Sequence, residues 1–283
     1  MVEVRVEIAG LGISLAGADT LRCAMALPGM GVFVAPEGDA DLLVALDQPL
    51  GLPRCRLLHQ FDIADGTIQA RFGIDAEGTY YYAFGHQGLL RYDLRQPRRV
   101  DLSPMPNPSV LRFALWTAVA MAGLPLGAVP VHSSVVVCNG RAVMCLGESG
   151  TGKSTHTRLW LENVAGTHLL NDDSPIVRHC DGEVRVYGSP WSGKTHCYLA
   201  ENYPIAGLLR LEQRPENTIR RLGTVEAFAA LQPSCPPALA RDERCMDLLV
   251  QFISNVLQHV PAYRMGCLPN ADAAHLSHDT LMP

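Results

Sequence analysis

The chain has no two cysteines in C-x-x-C spacing, although nine are spread along its 283 residues. That absence argues against a structural zinc site. An odd number of thiols, mostly set in apolar runs, reads instead as small buried side chains in a reducing cytoplasm. The sequence also lacks a long basic run. Short basic spots at Arg98-Arg99 and Arg220-Arg221 read as solvated surface, and the formal net charge is -5. Nothing supplies the basic footprint that nucleic acid requires. The opening MVEVRVEIAG has no basic start followed by an apolar run, so no secretory signal is expected. An uninterrupted apolar span is missing as well. The most apolar stretch, 111–131, carries Arg112 and is cut by Gly123, Pro125, Gly127 and Pro130. A membrane span needs roughly 20 apolar residues. This stretch is therefore expected to be a buried core helix followed by a turn and a strand, in a soluble protein with no membrane contact. Internal repeats and low-complexity tracts are absent too.

What is present is an ordinary globular composition, 48% hydrophobic and 18% charged. The length allows one large domain or two modest ones. The first hundred residues look β-rich. VEVRVEIAG alternates apolar and charged residues, as a half-buried strand does. TIQARFGI and TYYYAFG flank Asp-Ala-Glu-Gly, a hairpin turn, and GLLRYDL follows. No charged constellation there suggests chemistry. Residues 1–105 are expected to form a small β-rich N-terminal domain. Asn107 can cap a helix and Pro108 suits its first turn, so a helix is expected over 108–122, central to the fold because it is apolar almost all round.

From 106 to 283 the expectation is an α/β catalytic domain. VHSSVVVCNG and RAVMCLG read as a hairpin turning on Asn139-Gly140, and PIVRHC-DG-EVRVYG as another turning on Asp181-Gly182. KSTHTRLWLENV, VEAFAAL after Thr224, residues 238–260 and the segment after Asn270 read as helices; THLLNDD, IAGLLRLE and AYRMGC read as strands. Leu248, Phe252, Val256 and Leu257 are expected on one face of the long helix. Two hairpin connections make the sheet only partly parallel.

Within LGESGTGKST, Gly147, Gly152, Lys153 and Ser154 fit the pattern G-x-x-x-x-G-K-[ST] in full. Glycines permit backbone conformations in which several N–H groups point into one concavity. The helix that follows adds its free N–H groups and positive dipole end. Such a hollow suits the polyphosphate of ATP, with Lys153 bridging phosphates and the Ser154 hydroxyl on Mg2+. Asp172 and Asp173 end a strand about twenty residues further on, expected to lie beside the strand that leads into the loop. One carboxylate would hold Mg2+ and the other accept a proton, although Asn-Asp-Asp-Ser is also good turn chemistry. His132 opens the strand before the loop strand; alone it reads more often as a satisfied core residue, and its place beside the loop makes the functional reading equal to that one. YGSPWSGKTH, 187–196, reads as a second polar loop. Lys194 could neutralise phosphate charge there, and Trp191 could stack on a base; the alternative is a solvent loop with one buried indole.

A His-bearing strand, GESGTGKST and an Asp-Asp pair together resemble the catalytic domain of HPr kinase/phosphorylase, a family related to the ATP-using phosphoenolpyruvate carboxykinases. The resemblance spans about 130–215. LLNDDSPIVRHCDGEVRVYGSPWSGKT is similar to a branch described as serine kinases, some acting on peptides. It implies a P-loop core with a mixed sheet of that type. It implies nucleotide contacts from Gly147, Glu148, Ser149, Gly150, Thr151, Gly152, Lys153, Ser154 and Thr155. Mg2+ would sit on Ser154 and Asp173, and Asp172 would be the general base with His132 beside it, the two aspartates being exchangeable as a coupled pair. Members that act on HPr carry a Glu and an Arg after the hairpin. YGSPWSGK has neither, which removes a second metal carboxylate and argues against HPr as substrate and against phosphorolysis. The expected activity is transfer of the ATP γ-phosphate to a hydroxyl of a protein, peptide or small metabolite, in a chain that assembles as related kinases do. A nucleotide-binding sensor is the alternative. A carboxykinase acting on an oxoacid ranks last, because the sequence around the loop offers no arginines for a carboxylate.

Overall fold

The computed structural model describes residues 2–63, 66–193 and 195–282. They form two compact units, Met1–Leu126 with Ala238–Met246, and Gly127–Pro237 with Asp247–Pro283.

In the first unit the strands are β1 (Val2–Ile8), β2 (Leu11–Gly17), β3 (Leu42–Ala45), β4 (Arg56–Ile63), β5 (Ile68–Ile74), β6 (Tyr80–Phe84), β7 (Leu89–Tyr92) and β8 (Arg99–Leu102). They lie in the order β1-β2-β3-β8-β7-β6-β5-β4. β4 to β8 run antiparallel to their successive neighbours, whereas β3 is parallel to both β2 and β8, so the sheet is mixed. Period-two alternation in TYYYAF buries Tyr80, Tyr82 and Phe84 on one face. The Tyr82 ring stacks on Phe72 with centroids 4.3 Å apart. Two helices accompany the sheet, α1 (Asp19–Met25) and α2 (Pro108–Gly123). Asn107 caps α2 as expected, its carboxamide oxygen accepting from Ser109 N at 3.0 Å and Val110 N at 3.3 Å. Residues 108–126 are long and apolar enough by composition to cross a membrane, yet they are mostly buried, as a core helix is. α2 contacts β7 and β8, and it falls in the first unit although a boundary near 105 was expected ahead of it.

In the second unit the strands are β9 (Ala128–Pro130), β10 (Ser133–Cys138), β11 (Arg141–Leu146), β12 (His168–Asp173), β13 (Ile176–Cys180), β14 (Glu183–Tyr187), β15 (Asn202–Gln213), β16 (Thr218–Arg221) and β17 (Ala262–Cys267). The helices are α3 (Lys153–Asn163), α4 (Thr224–Leu231), α5 (Glu243–His259), which begins in the first unit, and α6 (Ala271–Leu281). The sheet runs β12-β10-β11-β15-β14-β13-β9, with β17 also on β15 and β16 on β17. Both expected hairpins form, with positive φ at Asn139, Gly140, Asp181 and Gly182. The sheet is mixed because β11 and β17 pair with β15 in parallel. The long helix starts later than expected. Residues 237–240 form a 3-10 turn, and Asp242 accepts from Arg244 N at 3.2 Å, supplying a start signal at 242. Its buried stripe is Leu249, Phe252, Ile253 and Val256, one position off the expected face at its N-terminal end. α3 lies on β10 and β11, and α6 packs against α3. Trp160 is fully buried there against Ala273 and Ala274, whose small side chains let α6 come close.

Candidate functional site

The loop between β11 and α3 takes its shape from backbone that glycine adopts freely. Gly152, at the N-cap of α3, has φ 100°, and Gly147 has φ 155°. A Cβ at Gly147 would strike the Thr151 hydroxyl. That hydroxyl donates to Glu148 O at 2.9 Å and closes the loop on itself. Glu148, Ser149 and Gly150 are exposed, Gly147 is buried, and Thr151, Gly152 and Thr155 are half-buried. Lys153 is 9% exposed. Its ammonium donates to Gly147 O at 2.8 Å and Glu148 O at 3.2 Å, so the cation lies along the inside of the loop. Burial pulls the Lys153 pKa below the usual lysine range, against the opposing pull of Asp173, Asp172 and Glu148.

The acid-bearing strand is one place further from the loop strand than expected. β12 pairs with β10, and β10 lies between it and β11, because the β10–β11 hairpin already occupies that edge of β11. Register puts Asp172 opposite Ser134 and Asp173 opposite Ser133. Alternation along the strand sends the two carboxylates to different surroundings. Asp172 is 7% exposed and accepts from the Ser154 hydroxyl at 3.0 Å. Asp173 is exposed, and its carboxylate lies 4.0 Å from His132 Nε2. So the hydroxyl of Ser154 meets Asp172, where Asp173 was expected. The Asp173 backbone has φ 148°, a region that favours glycine, and bridges to Ser192. His132 stands just before β10, its N–H donating to Ser234 O at 2.7 Å. The imidazole is half exposed; its partial burial and the Lys153 charge lower its pKa, while Asp173 opposes them.

The second loop joins the acid strand through its backbone. Gly193 N donates to Asp172 O at 2.6 Å, and Asn171 Nδ2 donates to Ser189 O at 3.3 Å and Trp191 O at 3.2 Å. Trp191 is only 5% exposed, so its indole anchors the loop and leaves no face open for stacking on a base. Lys194 lies outside the described residues.

Arg210 is the residue that sequence reasoning missed. Parallel pairing sets it opposite Leu146, at the mouth of the loop, and its guanidinium donates to Glu148 Oε1 at 2.9 Å. That bond holds the Glu148 carboxyl below its usual range. The expectation that no arginine serves the loop is thus corrected: sequence distance hid one that strand pairing delivers. Gln213, at the end of β15, donates to Gly150 O at 3.0 Å.

The oxygens of Ser154 and Asp172 form a hard donor set suited to Mg2+.

No family model matches the chain, and no curated protein matches it in sequence. Among solved structures it is similar to the Hpr(Ser) kinase/phosphatase from Coxiella burnetii, at 12% identity and a TM-score of 0.33, over 54% of this chain and 87% of that one. Likeness at that level assigns no activity to this chain.

Proposed function

We propose that the chain is an ATP-dependent kinase that moves the γ-phosphate to a hydroxyl acceptor. One observation carries this reading: the glycine loop with a buried lysine inside it stands beside a serine–aspartate pair and a second carboxylate. The loop N–H groups and Lys153 hold the polyphosphate, for which the lysine exchanges its two carbonyl partners. Ser154 and Asp172 hold Mg2+, which when bound neutralises phosphate charge. Arg210 keeps Glu148 turned to the loop mouth.

Asp173 takes the proton of the acceptor hydroxyl as the acceptor oxygen attacks the γ-phosphorus, the bond from that phosphorus to the β,γ-bridging oxygen breaks, and ADP leaves with the bond's electrons. It is the more exposed of the two carboxylates, so an incoming substrate reaches it first. This reverses the two roles that the family resemblance implied, on the ground that Ser154 is bonded to Asp172. His132 stands close by, its Nε2 4.0 Å from the Asp173 carboxylate and beyond direct hydrogen-bond reach. The acceptor class is a seryl side chain or a small alcohol.

The test is transfer of label from γ-labelled ATP to a panel of hydroxylated peptides and metabolites, with and without Mg2+. Metal-dependent labelling of an acceptor supports the proposal. Tight ATP binding with no acceptor-dependent turnover would replace it with the sensor reading.

A further inference from the structure

Strand register runs one row of residues through six strands of the second unit. Asp173 of β12 lies opposite Ser133 of β10, and Ser133 opposite Leu146 of β11. Leu146 lies opposite Arg210 of β15, Arg210 opposite Arg264 of β17, and Arg264 opposite Arg220 of β16. Residues paired in this way share a face of the sheet. The row starts at the proposed base, passes the residue from which the glycine loop leaves, and ends in three consecutive arginines.

Like charges set directly opposite one another destabilise a sheet, so such a row needs anions. The chain supplies them unevenly. At one end Arg210 donates to Glu148 at 2.9 Å, and at the other Arg220 donates to Glu226 at 2.6 and 3.0 Å. The middle arginine is served worst. Arg264 has its ion pair with Glu212 at 3.5 Å, and that carboxylate already accepts from Arg214 at 2.9 Å. Side-chain exposure rises along the row, from 18% at Arg210 to 38% at Arg264 and 52% at Arg220. The row is thus open to an anion from solution, and ion pairs this exposed are weak enough for such an anion to replace.

Distance along the row separates two kinds of acceptor. Counted from β12, Arg210 is three strands away, Arg264 four and Arg220 five. With strands about 4.8 Å apart, the arginines lie about 14, 19 and 24 Å from Asp173. A small alcohol resting against Asp173 cannot span that gap. An extended peptide, at about 3.3 Å per residue, reaches the arginines about four to seven residues from its serine.

We propose that the arginine row holds the acidic flank of an acceptor peptide whose serine is phosphorylated beside Asp173. The inference rests on the kinase reading and narrows its acceptor to serine peptides rich in Asp or Glu on one side. Carboxylates suit the row because a guanidinium fork takes a carboxylate through two parallel hydrogen bonds.

The full chain is given Mg2+, γ-labelled ATP and synthetic peptides with one serine. Glutamates fill about the fourth to the seventh position after the serine, or before it, a span set by strand spacing. Glutamine or lysine replaces them in the controls, and a panel of small alcohols runs alongside. One of the two acidic peptides should show kcat/KM about tenfold or more above its glutamine counterpart, mostly through KM, and the advantage should shrink as salt rises. Arg264→Gln combined with Arg220→Gln should bring the acidic peptide down toward the glutamine one, through KM rather than kcat. Arg264→Glu combined with Arg220→Glu should turn the preference to the lysine peptide, a reversal that a merely structural role of these arginines would not produce. Equal use of acidic and glutamine peptides overturns the proposal, as does an acidic preference untouched by the glutamine double variant. Labelling of small alcohols with no peptide labelled overturns it too. Each of those results leaves the kinase reading standing. If no acceptor of any kind is labelled, the kinase reading falls and the acidic flank falls with it.

Discussion

Both units carry a cluster of acids and bases, and the clusters are built in opposite ways. In the first unit Arg91 and Arg99 close on the two oxygens of Asp101, and Arg95 closes on Asp93. These groups line a polar hollow of about 260 Å3, yet each of those arginines meets a carboxylate within its own sheet or turn. In the second unit two carboxylates stand next to each other in sequence, and the buried Lys153 gives its described hydrogen bonds to backbone carbonyls. Charge that cancels locally makes a surface. Charge held near unlike neighbours but committed to replaceable partners makes a site for a ligand that carries charge of its own.

That contrast breaks most sharply at Asp173. Asp173→Asn should lower phosphate transfer by about 10²–10⁴-fold while ATP affinity stays nearly constant. Unchanged turnover would remove the proposed base. Next in size is a response to acid that His156 brings to the second unit. His156 has a folded pKa of about 4, below the 6.5 of an exposed imidazole. The unfolded chain binds the extra proton between these values, so stability is full above pH 6.5 and falls as the pH drops toward 4. The loss should reach about 3 kcal/mol. Chemical denaturation of wild type and His156→Gln across that window measures it, and identical pH slopes would contradict it. Asp101→Asn should cost about 1–2 kcal/mol of stability, because its carboxylate is 6% exposed and serves two arginines. Turnover should not change, and a catalytic defect there would dissolve the distinction between the clusters. The smallest effect belongs to Glu148→Gln. The Arg210 pair is exposed on the glutamate side, so ATP affinity should shift by only about two- to threefold.

Much of this was legible because it is local. Asn107 and Asn270 cap their helices, and Asn139-Gly140 and Asp181-Gly182 turn their hairpins, through bonds and torsions set within a few residues. The glycine loop is local in the same sense. β2 was missed because LGISLAG is buried along its whole length and shows no alternation. β3 has only four residues. Arg210 and the place of β12 depend on which strands become neighbours, and no window of sequence contains that choice. The pairing of Ser154 with Asp172 follows from the same register, since sliding β12 by one residue would exchange the two carboxylates.

Asp173 sits on a torsion that glycine tolerates and aspartate resists. A chain shaped for endurance alone would place glycine there. On the proposed mechanism, heat resistance and turnover are rivals at this one position, and Asp173→Gly would give a hardier protein with nothing left to receive the acceptor's proton.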